Sequence, residues 1–306
     1  MLYSSVGFAK AKCMAEQPDE IGEVFADEWG VEHAIAEYNT KFGKGRYIEI
    51  VGCPLAEDSA IDSYQAPDPH RPELYTQVER LVRRFKDEYW VTGGTPLTIL
   101  ETAFALRGRE RLLMDLGTDH DLVERLLKIP YDYHLVAAQK LIDLGVDMLR
   151  LADDVGSQNA MMISPHTWRR FPKPLMAEFI LTLRRVNPQV VIAYHSDGLI
   201  YSIIPDLIEI GVDVLNPIQP LCMDPERLKR EYGEHLCFWG SLDVQYTLPC
   251  GTPEDVRKEV ITRLKTIGKD GGLIIGPSHM VQLDTPPESF WAMVDTTMNT
   301  PYSSLR

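Results

Sequence analysis

Seven short apolar runs, most of them almost continuous, recur along this chain, with helical stretches in alternation with them from about residue 120. They lie at 47–51, 89–92, 148–152, 190–194, 212–215, 236–239 and 273–275. A strand with one wet face alternates polar and apolar residues. A strand covered by helices on both faces reads as an uninterrupted apolar run. The pattern therefore predicts parallel strands buried beneath helices. Helical stretches are expected at 119–144, 165–186, 199–210, 224–232, 253–267 and 287–298. Their ends carry ordinary signals: Ser164 before Pro165, Thr252 before Pro253, and Gly211 and Gly233 as stops. Asp255 stands where a capping box more often has Glu or Gln, so an imperfect box is expected there.

From about residue 120 the helix-then-strand unit repeats five times. With 306 residues, the chain has room for one (β/α) barrel and little more. The fold class expected is α/β, a distorted (β/α)8 TIM-type barrel with an N-terminal lid region. It is read as a single domain, 1–306, with 1–85 as the lid or cap segment and 86–306 as the barrel. The lid assignment rests on the acidic stretch rich in Pro, Tyr and Asp at 58–75.

Composition closes off several functions. Against 45 acidic residues stand 31 Lys and Arg, a net charge of −14, so phosphate backbones are repelled and no nucleic-acid partner is expected. No apolar run approaches the ~18 residues of a membrane span, and the first 20 residues lack the apolar stretch of a signal peptide. Cys13, Cys53, Cys222, Cys237 and Cys250 are odd in number and form no CxxC pair, which suits reduced thiols and a cytoplasmic location. Phosphate-loop, dinucleotide and nucleophile-elbow motifs are absent.

In a parallel barrel, chemistry gathers at the C-terminal ends of the strands. Those ends carry Asp153 and Asp154; His195 and Asp197; Asn216; Gly240, Ser241 and Asp243; and Ser278 and His279. Polar turn residues are ordinary at strand ends, but two histidines directly after buried strands favour an enzyme over a non-catalytic binding barrel. Asp153 and Asp154 are adjacent, so they point to opposite sides of an extended chain: one toward the mouth, the other free to cap. His195 and Asp197, two apart, can face the same way, as a metal grip or as an imidazole oriented by a carboxylate. His279 makes a third ligand and leaves a position open for substrate. Its alternatives are an N-cap or a hydrogen-bond donor. Candidate catalytic residues are His195, Asp197, His279 and Asp153. Asp154, Tyr194, Asn216, Trp239 and Ser278 are candidates for substrate binding, and His195, Asp197 and His279 for metal. His120, His134 and His166 read as surface or boundary residues.

The segments YHSDG, GVDVLNPIQP and FWGSLD between 190 and 243, with 101–116, 151–174 and 271–296, resemble the uroporphyrinogen decarboxylase superfamily over roughly 25–300. That resemblance implies a distorted (β/α)8 barrel, a chain beginning about where the family's first strand has ended, and dimers as a known assembly. Its decarboxylases carry an arginine-rich RQAGR segment for porphyrinogen carboxylates, which this chain lacks. Its coenzyme M-type thiol methyltransferases bind zinc through His-x-Cys and a later Cys, and the matching positions here are His195, Asp197 and His279. A third group passes methyl from a methoxylated aromatic to a corrinoid protein, and the resemblance favours that O-demethylase reading. It implies a corrinoid carried by a partner protein, a small methyl donor, possible zinc, and His195, Asp197 and His279 stabilising the departing phenolate. Asp153 or Asp154 would bond the ring substituents, and Tyr194 and Trp239 would hold the ring.

Overall fold

A computed structural model describes residues 2–5, 21–95, 97–118, 120–301 and 303. The signal-peptide reading and Cys13 concern residues 1 and 6–20, outside those described, as does the expected helix start at position 119. Seven parallel strands form the main sheet: β1 (Leu2–Ser5), β5 (Val91–Thr95), β6 (Met148–Ala152), β7 (Val191–His195), β8 (Val214–Ile218), β9 (Cys237–Leu242) and β10 (Leu273–Pro277). They pair in that order, with helices between successive strands, the arrangement of a TIM-type barrel. Three further strands, β2 (Val24–Ala26), β3 (Glu32–Thr40) and β4 (Gly43–Gly52), make a separate antiparallel sheet.

The six apolar runs from residue 89 onward fall on β5 to β10, their ends offset by no more than three residues. The first does not. Residues 47–51 belong to β4, where Tyr47, Ile48, Ile50 and Val51 are exposed. A continuous apolar run there marks a hairpin strand and not a covered one. Two other expectations are revised. Leu2–Ser5 supplies a barrel strand registered with Val91 to Gly94, although the chain was expected to start beyond it. Helix Thr76–Phe85 packs on β1 and β5, so the segment 1–85 is not a lid throughout. The sequence LYSS is too short and too polar to announce a barrel strand. The hairpin does reach the C-terminal end of the barrel: Tyr38 Oη donates to Gln282 Oε1 (3.0 Å), and Lys41 Nζ to the Pro249 carbonyl (3.0 Å).

Helix ends follow the local chemistry. Ser164 Oγ accepts from the Thr167 amide at 3.0 Å. Thr252 and Asp255 form a complete capping box, Thr252 N donating to Asp255 Oδ2 (2.9 Å) and Asp255 N to Thr252 Oγ1 (3.2 Å). The shorter Asp closes the box as well as Glu would. The stretch 165–186 is two helices, Pro165–Arg170 and Pro172–Val186. Pro172 cannot donate within a continuous helix, and so it opens a new one. No helix among the described residues is long and apolar enough to cross a membrane.

Two apolar layers result. Outside the sheet, helix side chains pack on residues such as Leu149, Leu151, Ile192, Tyr194, Leu215 and Phe238. Inside it, Met148, Ala193 and Val214 pack with Val191, Cys237, Trp239 and Ile274.

His134 lies in the outer layer on helix His120–Asp143, fully buried and stacked on Trp29. It is therefore no boundary residue. Thr102 gives its hydroxyl proton to the Leu97 carbonyl, so His134 Nε2 donates to Thr102 Oγ1, and Nδ1 is buried with no hydrogen-bond partner among the described residues. Burial holds its pKa down to about 3. The unfolded chain takes up that proton near pH 6.5, and the folded one resists it until about pH 3. Stability is thus complete above pH 6.5 and drains away as pH falls, by at most about 3 kcal/mol at pH 4. Urea unfolding between pH 7 and 4 should show a shallower acid loss in His134→Gln than in the parent.

Candidate functional site

Parallel strands keep their pleats in phase, so residues of matched register face the same side. Ala152 of β6 pairs with His195 of β7, and His195 with Asn216 of β8. This register brings the polar ends of β6 and β7 together. His195 Nε2 lies 3.7 Å from Asp154 Oδ1 and 3.9 Å from Asp197 Oδ1. His279, just beyond β10, places Nε2 3.6 Å from Asp197 Oδ2. His195, Asp197 and His279 converge, and Asp154 joins them. Asp153 does not.

The two adjacent aspartates divide their work. Asp153 is completely buried, and its Oδ1 accepts from the amides of Ile99 (3.0 Å) and Glu101 (2.9 Å) at the start of helix Leu100–Arg107. It is a helix-holding residue in this geometry and not a group aimed at the mouth. Burial raises its pKa to about 7. Asp154 turns the other way and takes the Asp197 amide on Oδ1 at 2.7 Å. The alternation of an extended chain foresaw the split but not which residue took which side.

Asn216 orients the histidine. Arg150 Nε donates to Asn216 Oδ1 (3.3 Å), and Asn216 Nδ2 donates to the Trp239 carbonyl (3.4 Å). The oxygen of the amide is thereby fixed toward His195, which donates from Nδ1 at 2.7 Å. A proton on Nδ1 leaves the Nε2 lone pair facing Asp154 and Asp197. Burial and the Arg150 charge hold the His195 pKa down to about 3, so the ring is neutral near pH 7.

Burial and the Asp154 charge push the Asp197 carboxyl up to about 6, and its Oδ1 is buried without a hydrogen-bond partner among the described residues. A neutral lone pair and two carboxylates turned on one point repel one another. A proton or a cation relieves that. One ligand atom each from Asp154, His195 and Asp197 lie within 4.8 Å of one another. Oxygen and nitrogen ligands ~2.0–2.2 Å from a tetrahedral ion stand roughly 3.3–3.6 Å apart, so the set fits a zinc-sized cation after a small contraction.

The other expected substrate contacts differ. Tyr194 is buried in the outer layer, its hydroxyl donating to the Asp153 carbonyl at 3.2 Å, so it does not hold a ring in the mouth. Trp239 is part-buried in the inner layer. Ser278 is buried, its amide bonded to the Leu242 carbonyl at 2.8 Å. Sequence reasoning passed over Arg150, hidden mid-strand, and Glu101, which sits one residue into a helix. Burial, then Asp154 and Asp153, drive the Glu101 carboxyl up to about 9, so it enters the site region as a neutral acid. Ser241, noted among the strand ends but given no role, is held at φ 79° beside Gly240 near the end of β9, strain of the kind found at functional sites.

Two tests follow from this geometry. Asp153→Ala should cost about 2 kcal/mol in urea unfolding through loss of the helix-end bonds, whereas Asp154→Ala should cost less than about 1 kcal/mol. Asn216→Leu should move the His195 proton partly to Nε2, visible in ¹⁵N-correlated NMR spectra. Asn216→Asp, which keeps the acceptor, should retain the parent tautomer.

Comparison with known proteins agrees with this barrel. The family model described as "Uroporphyrinogen decarboxylase (URO-D)" matches residues 37–299. A "Methylcobamide:CoM methyltransferase MtaA" from Methanosarcina barkeri is 25% identical over 175 residues, 57% of this chain and 48% of that protein. The chain therefore spans about half the length of this relative. A "Uroporphyrinogen decarboxylase" from Psychromonas ingrahamii is 26% identical over 266 residues, 81% of this chain and 71% of that protein. Among solved structures, a methyltransferase from Methanosarcina mazei shares the fold with a TM-score of 0.69, over 89% of this chain and 76% of that one, at 20% identity. The named relatives thus include methyltransferases and a decarboxylase, and with the family model running from β3 to the last helix, this chain belongs to the uroporphyrinogen decarboxylase family.

Proposed function

We propose that this chain is a corrinoid-dependent methyltransferase, moving methyl from a small methoxylated aromatic to a corrinoid protein in the cytoplasm, an O-demethylation. The observation that carries the reading is the convergence of Asp154, His195, Asp197 and His279, a set of nitrogen and oxygen donors at one end of the barrel. Cleaving an aryl methyl ether leaves an oxygen that gains negative charge, and a proton donor or a Lewis acid must stabilise it. Asp154, His195 and Asp197 would hold zinc, which when bound supplies that Lewis acidity. The corrinoid of the partner protein supplies the methyl acceptor. His279, the most exposed of the four, stands across Asp197 and is placed to pass a proton to the departing oxygen.

A thiol acceptor is less well served. The set offers only nitrogen and oxygen donors, harder than the thiolates that suit a zinc–thiolate, so soft-ligand chemistry finds no purchase in it. The decarboxylase relative keeps a second reading in play, carbon dioxide release from uroporphyrinogen without a cofactor.

The deciding assay mixes the protein with guaiacol or veratrole and cob(I)alamin, following methylcobalamin absorbance. Methyl transfer should appear, and His279→Ala should slow it by roughly 100-fold, the loss of a general acid. No methylcobalamin across a panel of methoxylated aromatics, with carbon dioxide released from uroporphyrinogen instead, would replace this reading by the second.

A further inference from the structure

The barrel interior holds a hollow at the end opposite the histidines. It measures about 550 Å3 and is walled by Met148, Val191, Val214, Cys237 and Ile274, with Tyr89, Trp90, Glu88 and Asp213 at its rim. Met148, Val191, Val214 and Cys237 are the first residues of β6 to β9, and Ile274 is the second of β10. The hollow therefore lies at the N-terminal ends of the strands. Further along the same strands, Arg150 donates to Asn216, which lies beside His195 and donates to the Trp239 carbonyl, so a polar layer separates the hollow from the mouth.

We propose that this lower hollow is a binding site for a small planar aromatic molecule, neutral or carrying one positive charge. Its volume falls within the ~300–1,000 Å3 of small-molecule sites, and its wall is aliphatic with one thiol, as such sites commonly are. Water in that space forgoes hydrogen bonds, so a dry, flat ligand gains by displacing it. At the rim, Trp90 is 53% exposed and Tyr89 47%, an unusual exposure for rings this large and one that offers stacking faces. The rim also sets the charge. Asp213 is spoken for, its oxygens taken by Arg184 at 2.9 and 2.7 Å and by the Ile192 amide at 2.7 Å. Glu88 is exposed and makes no ion pair among the described residues, so it repels an anion and favours an N–H donor or a cation. Burial raises the Cys237 pKa, which keeps the thiol uncharged and the wall apolar.

The site is independent of the methyl-transfer reading, and so is its test. N-phenyl-1-naphthylamine is neutral, and 8-anilinonaphthalene-1-sulfonate is its anionic relative with the same rings. Fluorescence titration of the full chain should show saturable binding of the neutral probe at one site per chain, with the sulfonate about 10-fold weaker. Glu88→Gln should narrow that gap. Cys237→Phe, which fills the hollow, should weaken the neutral probe by about 10-fold, while His195→Ala should leave it within about 2-fold. Should Cys237→Phe fail to fold by circular dichroism, the wild type decides. Peptide mass mapping after N-ethylmaleimide should then show Cys237 alkylation slowed by the neutral probe. Absence of saturable binding overturns the proposal. So does binding that is lost in His195→Ala and untouched in Cys237→Phe, or unprotected Cys237 at saturating probe.

Discussion

The site depends on one hydrogen bond between neighbouring strands, His195 Nδ1 to Asn216 Oδ1 at 2.7 Å. Parallel register puts the two residues side by side on β7 and β8. Arg150 and the Trp239 carbonyl then leave the amide only one orientation that satisfies all its partners. The imidazole must present a lone pair to Asp154 and Asp197, and everything proposed for the mouth of the barrel follows from that. A histidine free to rotate could serve as an acid, a base or a bystander. This one is fixed by the strand that follows it.

Much of this was legible in the residues. Six of seven apolar runs fell on barrel strands, because a strand hidden on both sides has no reason to alternate. The failure at 47–51 is instructive. Tyr47, Ile48, Ile50 and Val51 have the same β-branched and aromatic character, yet they are exposed in the antiparallel sheet. Propensity reports suitability for a pleated surface and not what covers it. The strand Leu2–Ser5 escaped notice for the opposite reason, since its pairing with β5 is backbone chemistry that its four residues do not advertise.

The convergence of 195, 197 and 279 was legible because barrel topology turns strand ends into neighbours. Side-chain direction was not. Tyr194 lies beside His195 in sequence, and the pleat sends it out into the helix layer. Asp153 and Asp154 were known to diverge, but choosing between them required the position of Ile99 and Glu101, more than fifty residues upstream. Arg150 could not be read as a site residue at all, because an arginine within an apolar run gives no sign of whether it faces a cavity or solvent.

The Asp153–Asp154 step joins two tasks in a single peptide unit. One carboxyl anchors the first turn of Leu100–Arg107, and the next accepts the backbone of Asp197. Displacing either tugs on its neighbour through one rigid amide plane. A change that shifts the Asp153–Asp154 backbone would therefore disturb the start of that helix and the Asp197 loop together.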